Sequence, residues 1–387
     1  MSRIAIDARY IRERPSGVSA VVEALVSAVP GRMPEHEFLL LRHPRARRPL
    51  SSAPNVREVE VSAEANGPAT LAFLPRVVDL RGVDLFHATF NILPAGLSMP
   101  TVATVHDTMW LDTPQLCESP GMWGLVERSF YRIGIGRALR AATRIVTVSE
   151  ATARDVARLE PSAAARTHVG LLGVPSGFAP ARGPAERQED ASIVQRLLPG
   201  VDRYFLAVGQ SAPYKNHARA VAAFGAAFAS DPRTHLVFIH RLGSGRSLLK
   251  DLSPDVASRV HLVPPVASRE LSALYRQAHA LMQPSLREGW GLPICEALAS
   301  GCPVLTSACS AMPEVAGDAA VYVDPTDVAS IAAGLRALVD DEATRARCVR
   351  RGLVQARALR WETHVEATVA AYRAALGLSA HTAAAAE

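Results

Sequence analysis

Short apolar runs alternate with longer, Ala-rich helical patterns along the whole chain, and this alternation limits the folds open to it. The runs are continuously apolar, which is typical of parallel strands covered on both faces. Strands that alternate with helices in this way build a doubly wound α/β sheet. The sequence predicts strands at 3–7, 37–41, 85–88, 101–106 and 144–148 in the first half, and at 204–208, 235–240, 260–262, 280–283, 303–306 and 320–323 in the second.

The length of the chain predicts two domains, because 387 residues exceed what one hydrophobic core usually spans. Residues 176–203 combine prolines, glycines and mixed charges, a composition typical of a loop, and we expect the domain boundary there. The first domain is predicted at 1–185 and the second at 186–361. A last helical stretch, 362–377, is expected to rejoin the first domain, and the small polar tail 379–387 is expected to be disordered.

Charge and cysteine content narrow the class of protein. The 42 basic and 37 acidic residues give a net charge of +5, too small and diffuse an excess to indicate nucleic-acid binding. The five cysteines form no C-x-x-C pair, which favours reduced thiols in a cytoplasmic protein. No apolar run approaches 18 residues and the N-terminus lacks the pattern of a signal peptide, so we expect at most a peripheral membrane contact.

Residues 287–301 carry the strongest functional signal. Two glycines, Gly289 and Gly291, bracket Trp290, so the backbone there can approach a ligand closely. Pro293 suits the first position of a helix, whose free N–H groups and positive dipole end would bind a diphosphate. We expect Glu296 in the first turn, where its carboxylate can accept hydrogen bonds from a ribose diol. From these residues alone, a capping carboxylate beside an ordinary turn remains an alternative.

The same segment resembles retaining glycosyltransferases of family 4. Glu288 and Glu296, with seven residues between them, match the E-x7-E signature, and 288–293 (EGWGLP), 301–304 (GCPV), 312–320 (MPEVAGDAA) and 323–325 (VDP) match its context. The resemblance implies the GT-B fold, two Rossmann-like doubly wound parallel-sheet domains facing a central cleft. It implies that Glu296 binds the ribose and that Glu288 acts at the donor sugar. It also puts Gly289, Trp290, Gly291 and Leu292 at the nucleotide sugar.

A second motif follows the strand predicted at 204–208. The resemblance makes Lys215 the residue that binds the donor diphosphate, where a charge-assisted hydrogen bond contributes roughly 1.5–3 kcal/mol. Many relatives carry an arginine where Gln210 stands, so another cation would have to assist, and Arg241 and Arg287 are the candidates. The other residues that the resemblance brings to the donor here are Gly209, Gln210 and Asn216.

The first half contributes two further candidates. The resemblance implies that Gly17 lies in a loop closing over the donor phosphates, and that His106 faces the donor sugar near the leaving oxygen. His106, Lys215 and Glu288 are thus the predicted catalytic residues. Two neighbours are expected to be structural: His87 within its strand, and Ser149 as a helix N-cap.

Two other features keep weaker interpretations. Residues 242–246 (LGSGR) form an incomplete G-x-G-x-x-G, which does not indicate a dinucleotide site and is assigned to a loop. Five arginines after Met122 are expected to fall mostly on one helix face. That face is either simply solvated or binds anionic lipid or a phosphate-bearing acceptor. The arginines are Arg128, Arg132, Arg137, Arg140 and Arg144.

The predicted reaction is transfer of a hexosyl group from a nucleoside-diphosphate sugar to a glycan, lipid-linked or small-molecule acceptor. The chain contains no D-x-D motif of metal-dependent transferases, so no metal and no other cofactor is expected. The I-D-A-R start and the V-G-x5-K-N pattern resemble bacterial mannosyltransferases of surface polysaccharides, which favours GDP-mannose. A nucleotide-sugar epimerase and a sugar phosphorylase on the same fold remain alternatives. The missing glycine fingerprint disfavours a dehydrogenase.

Overall fold

The computed structural model describes residues 1–13, 16–46, 49–117, 121–239, 249–250 and 252–378. It divides into two compact units, one comprising Met1–Gly173 with Arg360–Glu387 and the other Val174–Leu359. Arg241, the 242–246 loop and the 379–387 tail lie outside the described residues, so the predictions made for them stay predictions.

Unit 1 is built on a seven-stranded parallel sheet in the order β3-β2-β1-β4-β5-β6-β7. The middle of the inner strand β1, Ile4-Ala5-Ile6, is apolar and fully buried, as a strand covered on both faces must be. The strands are β1 (Arg3–Asp7), β2 (Glu37–Arg42), β3 (Val56–Glu60), β4 (Leu85–Ala88), β5 (Thr101–Val105), β6 (Arg144–Thr147) and β7 (Thr167–Val169). The helices are α1 (Gly17–Arg32), α2 (Pro68–Val77), α3 (Met109–Asp112), α4 (Met122–Ala141), α5 (Glu150–Leu159) and, near the end of the chain, α14 (Trp361–Ala375).

The last helix belongs to unit 1 because glycines let it approach the sheet closely. A Cβ on Gly170 would lie 2.8 Å from the His364 ring, and one on Gly173 would lie 2.3 Å from the backbone nitrogen of Trp361. Buried polar contacts then hold the helix: His364 Nδ1 lies 2.7 Å from the Gly170 carbonyl oxygen, and the Tyr372 hydroxyl lies 2.7 Å from Nδ1 of His87.

Unit 2 repeats the architecture with six parallel strands in the order β10-β9-β8-β11-β12-β13. Its strands are β8 (Arg203–Val208), β9 (Thr234–Ile239), β10 (Val260–Val263), β11 (Ala280–Gln283), β12 (Val304–Ser307) and β13 (Ala320–Val323). Its helices are α6 (Pro184–Leu197), α7 (His217–Phe228), α8 (Pro254–Ala257), α9 (Ser268–Gln277), α10 (Leu292–Ala299), α11 (Met312–Ala316), α12 (Val328–Asp340) and α13 (Glu342–Ala358).

Each sheet has one point where the strand order reverses. In unit 1 it lies between β1 and β4, and in unit 2 between β8 and β11. The connections on either side of such a point leave in opposite directions, which opens a crevice beyond the carboxyl ends of the two strands. The loops after these strands are therefore where ligand-binding residues are expected within each unit.

The doubly wound α/β fold and all eleven predicted strands are confirmed, each to within one residue at either end. Two strands were missed, β3 and β7, and both are at edges of the first sheet. β3 (VREVE) is largely polar and only half covered, and β7 has three residues. Neither offers the continuous apolar run by which buried parallel strands are identified.

The segment predicted as a boundary loop, 176–203, contains a helix instead. α6 is bound to unit 2 by a fully buried carboxylate, Asp190, which accepts hydrogen bonds from Arg269 and Arg276 of α9 at 2.5–2.6 Å. Burial alone would raise the pKa of Asp190, but the two guanidinium groups hold it below its ordinary value. The segment before α6 is held by the same helix, α9, since Arg276 donates to the Ala179 carbonyl and Ser272 donates to the Gly177 carbonyl; the boundary therefore lies after Gly173 and not at 185.

The five arginines of the predicted basic face do not form one face. α4 ends at Ala141, so Arg144 lies in β6, where it donates to the carbonyls of Thr143 and Ala374. Arg137 is turned inward and donates to the carbonyls of Leu71 and Leu93. Spacing in the sequence predicted a helix surface for these side chains, but Arg137 and Arg144 donate to nearby backbone carbonyls instead.

No helix in the described ranges combines the length and the apolar composition needed to cross a bilayer.

The Asp190 network yields a stability prediction. Asp190→Asn should lower the free energy of unfolding of unit 2 by about 3 kcal/mol, because it leaves two arginines without their buried counter-charge. Glu189→Gln is the matched control: its carboxylate, 60% exposed, meets the same Arg269, and its loss should cost less than about 1 kcal/mol. Calorimetric unfolding of both variants checks this, and equal effects would contradict it.

Candidate functional site

The loops that follow β8 and β11 meet at the reversal point of the second sheet. The Leu286 amide donates to the Tyr214 carbonyl at 2.8 Å, and the Asn216 side-chain amide donates to the Pro284 carbonyl at 2.9 Å. These bonds bring 209–216 and 284–291 together, although some seventy residues separate them in the chain. Most of the predicted donor-site residues therefore occupy one small region.

A buried ion pair is at the centre of this region. The Lys215 ammonium lies 2.7 Å from Oε1 of Glu288, and each side chain is only 9% exposed. Burial lowers the pKa of Lys215, but the negative charge and hydrogen bond of Glu288 outweigh it, so the pKa is raised and the ammonium stays charged. The chain has only two lysines, the other being Lys250, against forty arginines.

The Glu288 carboxylate is fixed through one of its two oxygens. Gln283 Nε2 and the Ser285 hydroxyl also donate to Oε1, at 2.9 and 2.8 Å. The backbone of Glu288 is held by Ser310, whose hydroxyl accepts from the amide at 3.0 Å and donates to the carbonyl. Every hydrogen bond to this carboxylate from the described residues thus goes to Oε1, which leaves Oε2 for a ligand.

Gly209 provides space for the lysine. Its φ of +139° favours glycine, and a Cβ there would lie 3.2 Å from Cε of Lys215. The next residue, Gln210, is exposed and its side-chain amide donates to the Tyr214 hydroxyl at 3.2 Å. Of the two cations expected to replace the usual arginine here, Arg287 is half-buried and already has an interaction partner.

Asn216 connects loops of unit 2 through its side chain. It adopts a left-handed conformation, with φ +59°, and precedes α7. Its amide nitrogen donates to the carbonyls of Pro284 and Pro325, and its oxygen accepts from Arg219. Both ends of the side chain are therefore used in joining loops, which gives it a role in holding the site together.

Residues 289–291 lead into α10 as expected, but the helix begins one residue earlier than the sequence predicted. Gly291 has φ +114° and is the N-cap, but Gly289 is not in the positive-φ region. Leu292 is the first residue of the helix, so Pro293 occupies the second position and not the first. Trp290 is buried and its indole donates to Cys295 Sγ at 3.2 Å, so the ring packs inside the unit.

Because the helix begins at Leu292, Glu296 lies in its second turn, contrary to the expectation of the first. Its Oε2 accepts a hydrogen bond from the Tyr275 hydroxyl at 2.9 Å. Burial raises the pKa of Glu296 to about 7, although the Tyr275 bond and the Lys215 charge act in the opposite direction. The carboxyl group therefore changes charge within the physiological range.

In unit 1, His106 directly follows β5. Its Nε2 lies 3.0 Å from the Thr89 carbonyl oxygen, which can only accept, so Nε2 carries the hydrogen. The neutral ring then keeps a lone pair on Nδ1. Burial lowers the pKa of His106 to about 4 despite the bond to Thr89, so the ring is uncharged at neutral pH.

Half-buried aromatic rings extend from His106 across the reversal point of the first sheet. Phe90, after β4, and Tyr10, after β1, follow it in a row with 5.2 Å between successive ring centroids. This row was not predicted, although each ring follows a strand end. The sequence offered no spacing by which to connect three separate loops.

The other unit 1 residues that the sequence singled out are Gly17, Ser149 and His87. Gly17 is the first residue of α1 and not a loop residue, because a capping box between Ser16 and Ser19 starts the helix there. Ser149 is an N-cap, accepting from the Thr152 amide at 3.0 Å. His87 is fully buried between Tyr372 and the Thr104 hydroxyl, as a structural histidine should be.

Sequence reasoning missed four residues of the unit 2 site: Tyr275, Gln283, Ser285 and Ser310. Gln283 and Ser285 stand at the carboxyl end of β11, where the rule for parallel sheets would have directed attention. Tyr275 belongs to the regular pattern of α9, and Ser310 to a loop with no motif, so neither gave a signal. Among the described residues no cluster of three or more His, Cys, Asp or Glu side chains is spaced to hold a metal ion.

Two family models match the chain, one to each half. Residues 15–176 match Glycosyltransferase Family 4, and residues 188–354 match Glycosyl transferases group 1. Together the matches cover most of both units.

Characterised relatives and a solved structure agree with these matches. The chain is 29% identical to O-antigen chain mannosyltransferase B of Escherichia coli, over 75% of this chain and 74% of that one. It is 28% identical to the MMP alpha-(1->4)-mannosyltransferase of Mycolicibacterium hassiacum, over 73% and 67%. The solved structure of WaaG, a glycosyltransferase involved in lipopolysaccharide biosynthesis, superposes on this chain with a TM-score of 0.73 at 17% identity. The superposition covers 95% of this chain and 98% of that one, and it shows that the two share a fold.

The Tyr275–Glu296 bond yields a prediction about charge. Tyr275→Phe removes a donor that favours the carboxylate, so the pKa of Glu296 should rise above about 7. The pKa of Glu296 is about 7 in the folded protein and near 4.5 in the unfolded chain. The stabilisation that this group contributes is therefore fully present below about pH 4.5 and is lost as the pH rises to about 7. Carboxyl-carbon NMR titration of both proteins measures the shift. An unchanged or lowered pKa would contradict the assignment, and Tyr322→Phe is the control, because that hydroxyl donates to the Gly317 carbonyl and not to Glu296.

Proposed function

The chain is a glycosyltransferase with the GT-B fold, and we propose that it is a retaining enzyme that transfers a mannosyl group from GDP-mannose. The proposed acceptor is a glycan, free or lipid-linked. The observation that carries this proposal is the buried Lys215–Glu288 pair at the reversal point of the second sheet, with Glu296 on the adjacent helix.

Lys215 is suited to a diphosphate because its charge is held in place before a ligand arrives. The Lys215 ammonium has three hydrogens and donates one of them to Glu288. The two remaining hydrogens can be donated to phosphate oxygens. Such charge-assisted bonds are strong where water is excluded. An ammonium held in this way, with the start of α10, can stabilise the leaving diphosphate electrostatically, so we propose that no metal is needed.

Glu288 is proposed to bind the donor sugar and not to attack it. Its Oε1 is engaged by three donors, and Lys215 withdraws charge from the same group, which makes it a poor nucleophile. Oε2 can accept hydrogen bonds from sugar hydroxyls. In the proposed reaction the bond from C1 to the diphosphate oxygen breaks while the acceptor oxygen bonds C1 on the same face. The acceptor's proton passes to the leaving phosphate oxygen.

Glu296 is proposed to bind the ribose diol. A carboxylate accepts both hydroxyl hydrogens, whereas its protonated form presents a hydrogen of its own to the same diol. Because the pKa of Glu296 is about 7, donor affinity should rise with pH as the group ionises.

His106 and the ring row extending from it are proposed to serve the sugars. An uncharged His106 can accept a hydroxyl hydrogen at Nδ1 without bringing positive charge to a cationic transition state. The faces of Phe90 and Tyr10 offer the flat apolar surface on which a pyranose ring packs. A glycan acceptor fits these rings better than a small charged molecule does.

Mannose is proposed because the relatives named above are mannosyltransferases. Guanine is the proposed base because the motifs of the sequence resemble those of mannosyltransferases. The alternatives have distinct signatures: an epimerase converts the donor without any acceptor, and a phosphorylase requires free phosphate.

Variants of the two glutamates test the proposal. In EDTA, GDP-mannose binding is measured by calorimetry, and GDP release is measured with methyl α-mannoside as acceptor. Glu296→Gln should weaken donor binding by about 10- to 100-fold through lost ribose contacts and abolish the rise in affinity with pH. Glu288→Gln should keep the Kd within a few-fold and chiefly lower GDP release.

The control is Glu342→Gln, an exposed carboxylate at the start of α13, which should change neither quantity. Equal losses of affinity in both site variants, with normal turnover at saturation, would contradict the division of roles. Activity lost in EDTA and restored by Mg²⁺ would contradict the proposed mechanism.

A further inference from the structure

The outward face of α4 is apolar, the reverse of what a helix on a protein surface normally presents. Among the described residues eleven large apolar side chains are exposed, and five of them are on this helix. They are Met122 (82% exposed), Trp123 (66%), Leu125 (59%), Val126 (51%) and Ile133 (52%).

Helix geometry makes these side chains one surface. Met122, Val126 and Ile133 are four and seven residues apart, which places them along one face, and Leu125 and Trp123 flank it. The opposite face is already packed: Gly134 approaches Ile92 so closely that a Cβ would lie 2.6 Å from that side chain. The exposed apolar residues therefore do not contribute to the core of unit 1. We call them the α4 apolar face.

Exposed arginines border this face. Arg132 and Arg140 are solvent-exposed on the same side of the helix as Ile133. α4 contains four arginines and a single acidic residue, Glu127, which is half-buried and has an interaction partner.

We propose that the α4 apolar face inserts into the interfacial region of a membrane rich in anionic phospholipid. An apolar stripe with an interfacial tryptophan and flanking arginines is the pattern by which a helix lies in the plane of a bilayer surface. The apolar side chains enter the acyl boundary while Arg132 and Arg140 meet lipid phosphates. Arg132 and Arg140 are two of the five arginines that the sequence indicated, whereas Arg137 is turned inward and Arg144 lies in β6; the apolar contribution was not predicted.

Charge distinguishes this partner from a second copy of the chain. A symmetric dimer through the α4 apolar face would bring together two helices that each carry four arginines and one acidic residue, Glu127, which already has a partner. Like charges held together oppose such contact, whereas an anionic lipid surface satisfies both the apolar and the basic residues.

The test uses the full chain and vesicles of two compositions: equal parts phosphatidylglycerol and phosphatidylcholine, and phosphatidylcholine alone. Co-sedimentation should show binding to the anionic vesicles and much weaker binding to the neutral ones. The triple variant Trp123→Gln, Val126→Gln, Ile133→Gln should lower the partition coefficient at least about tenfold. Arg132→Gln with Arg140→Gln should lower it roughly fivefold per arginine on anionic vesicles and little on neutral ones.

The control is Val354→Gln, an apolar side chain 67% exposed on α13 of unit 2, which should bind vesicles like the unaltered protein. All substituted positions are exposed, so the variants should fold, and thermal unfolding checks this. Absence of vesicle binding, or binding that the triple variant retains, would overturn the proposal. So would a dimer in sedimentation equilibrium that the triple variant dissociates, because the face would then be a contact between copies.

Discussion

The ion pair of Lys215 and Glu288 is the interaction on which the candidate site depends. Removing two charges from water is costly, and their attraction compensates only when the remaining hydrogen-bonding capacity is met. Gln283 and Ser285 provide this for the carboxylate, and Ser310 holds the backbone of Glu288. Because Lys215 follows β8, Gln283 and Ser285 lie at the end of β11 and Ser310 follows β12, the pair forms only once the sheet of unit 2 is assembled.

Sheet topology decides where such a pair can stand. β8 and β11 are neighbours, yet the chain leaves them in opposite directions, so their following loops border an open crevice. Gly209 and Gly291 then keep the backbone clear of side chains at the two rims. Unit 1 uses the same arrangement differently: its reversal point carries aromatic rings beside an uncharged His106, which suits sugars better than phosphates.

Sequence patterns predicted what local chemistry determines. Continuous apolar runs located eleven strands, and the glycine-bracketed Trp290 with its two glutamates indicated the family. The features that the sequence did not predict depend on contacts with residues distant in the chain. A polar-looking segment became α6 because two distant arginines neutralise Asp190, and Tyr275 joined the site only because α9 packs beside α10. The α4 apolar face escaped because apolar residues in a helix are ordinarily assigned to the core.

The claim that Lys215 binds a nucleoside diphosphate without a metal has a direct measurement, made simple because the chain has only two lysines. Calorimetric titration with GDP in EDTA should show binding to the unaltered protein and to Lys250→Gln with equal affinity. Lys215→Gln should bind about 10- to 100-fold more weakly, corresponding to one lost charge-assisted contact. Equal affinity in all three proteins, or binding that appears only when Mg²⁺ is added, would contradict the account.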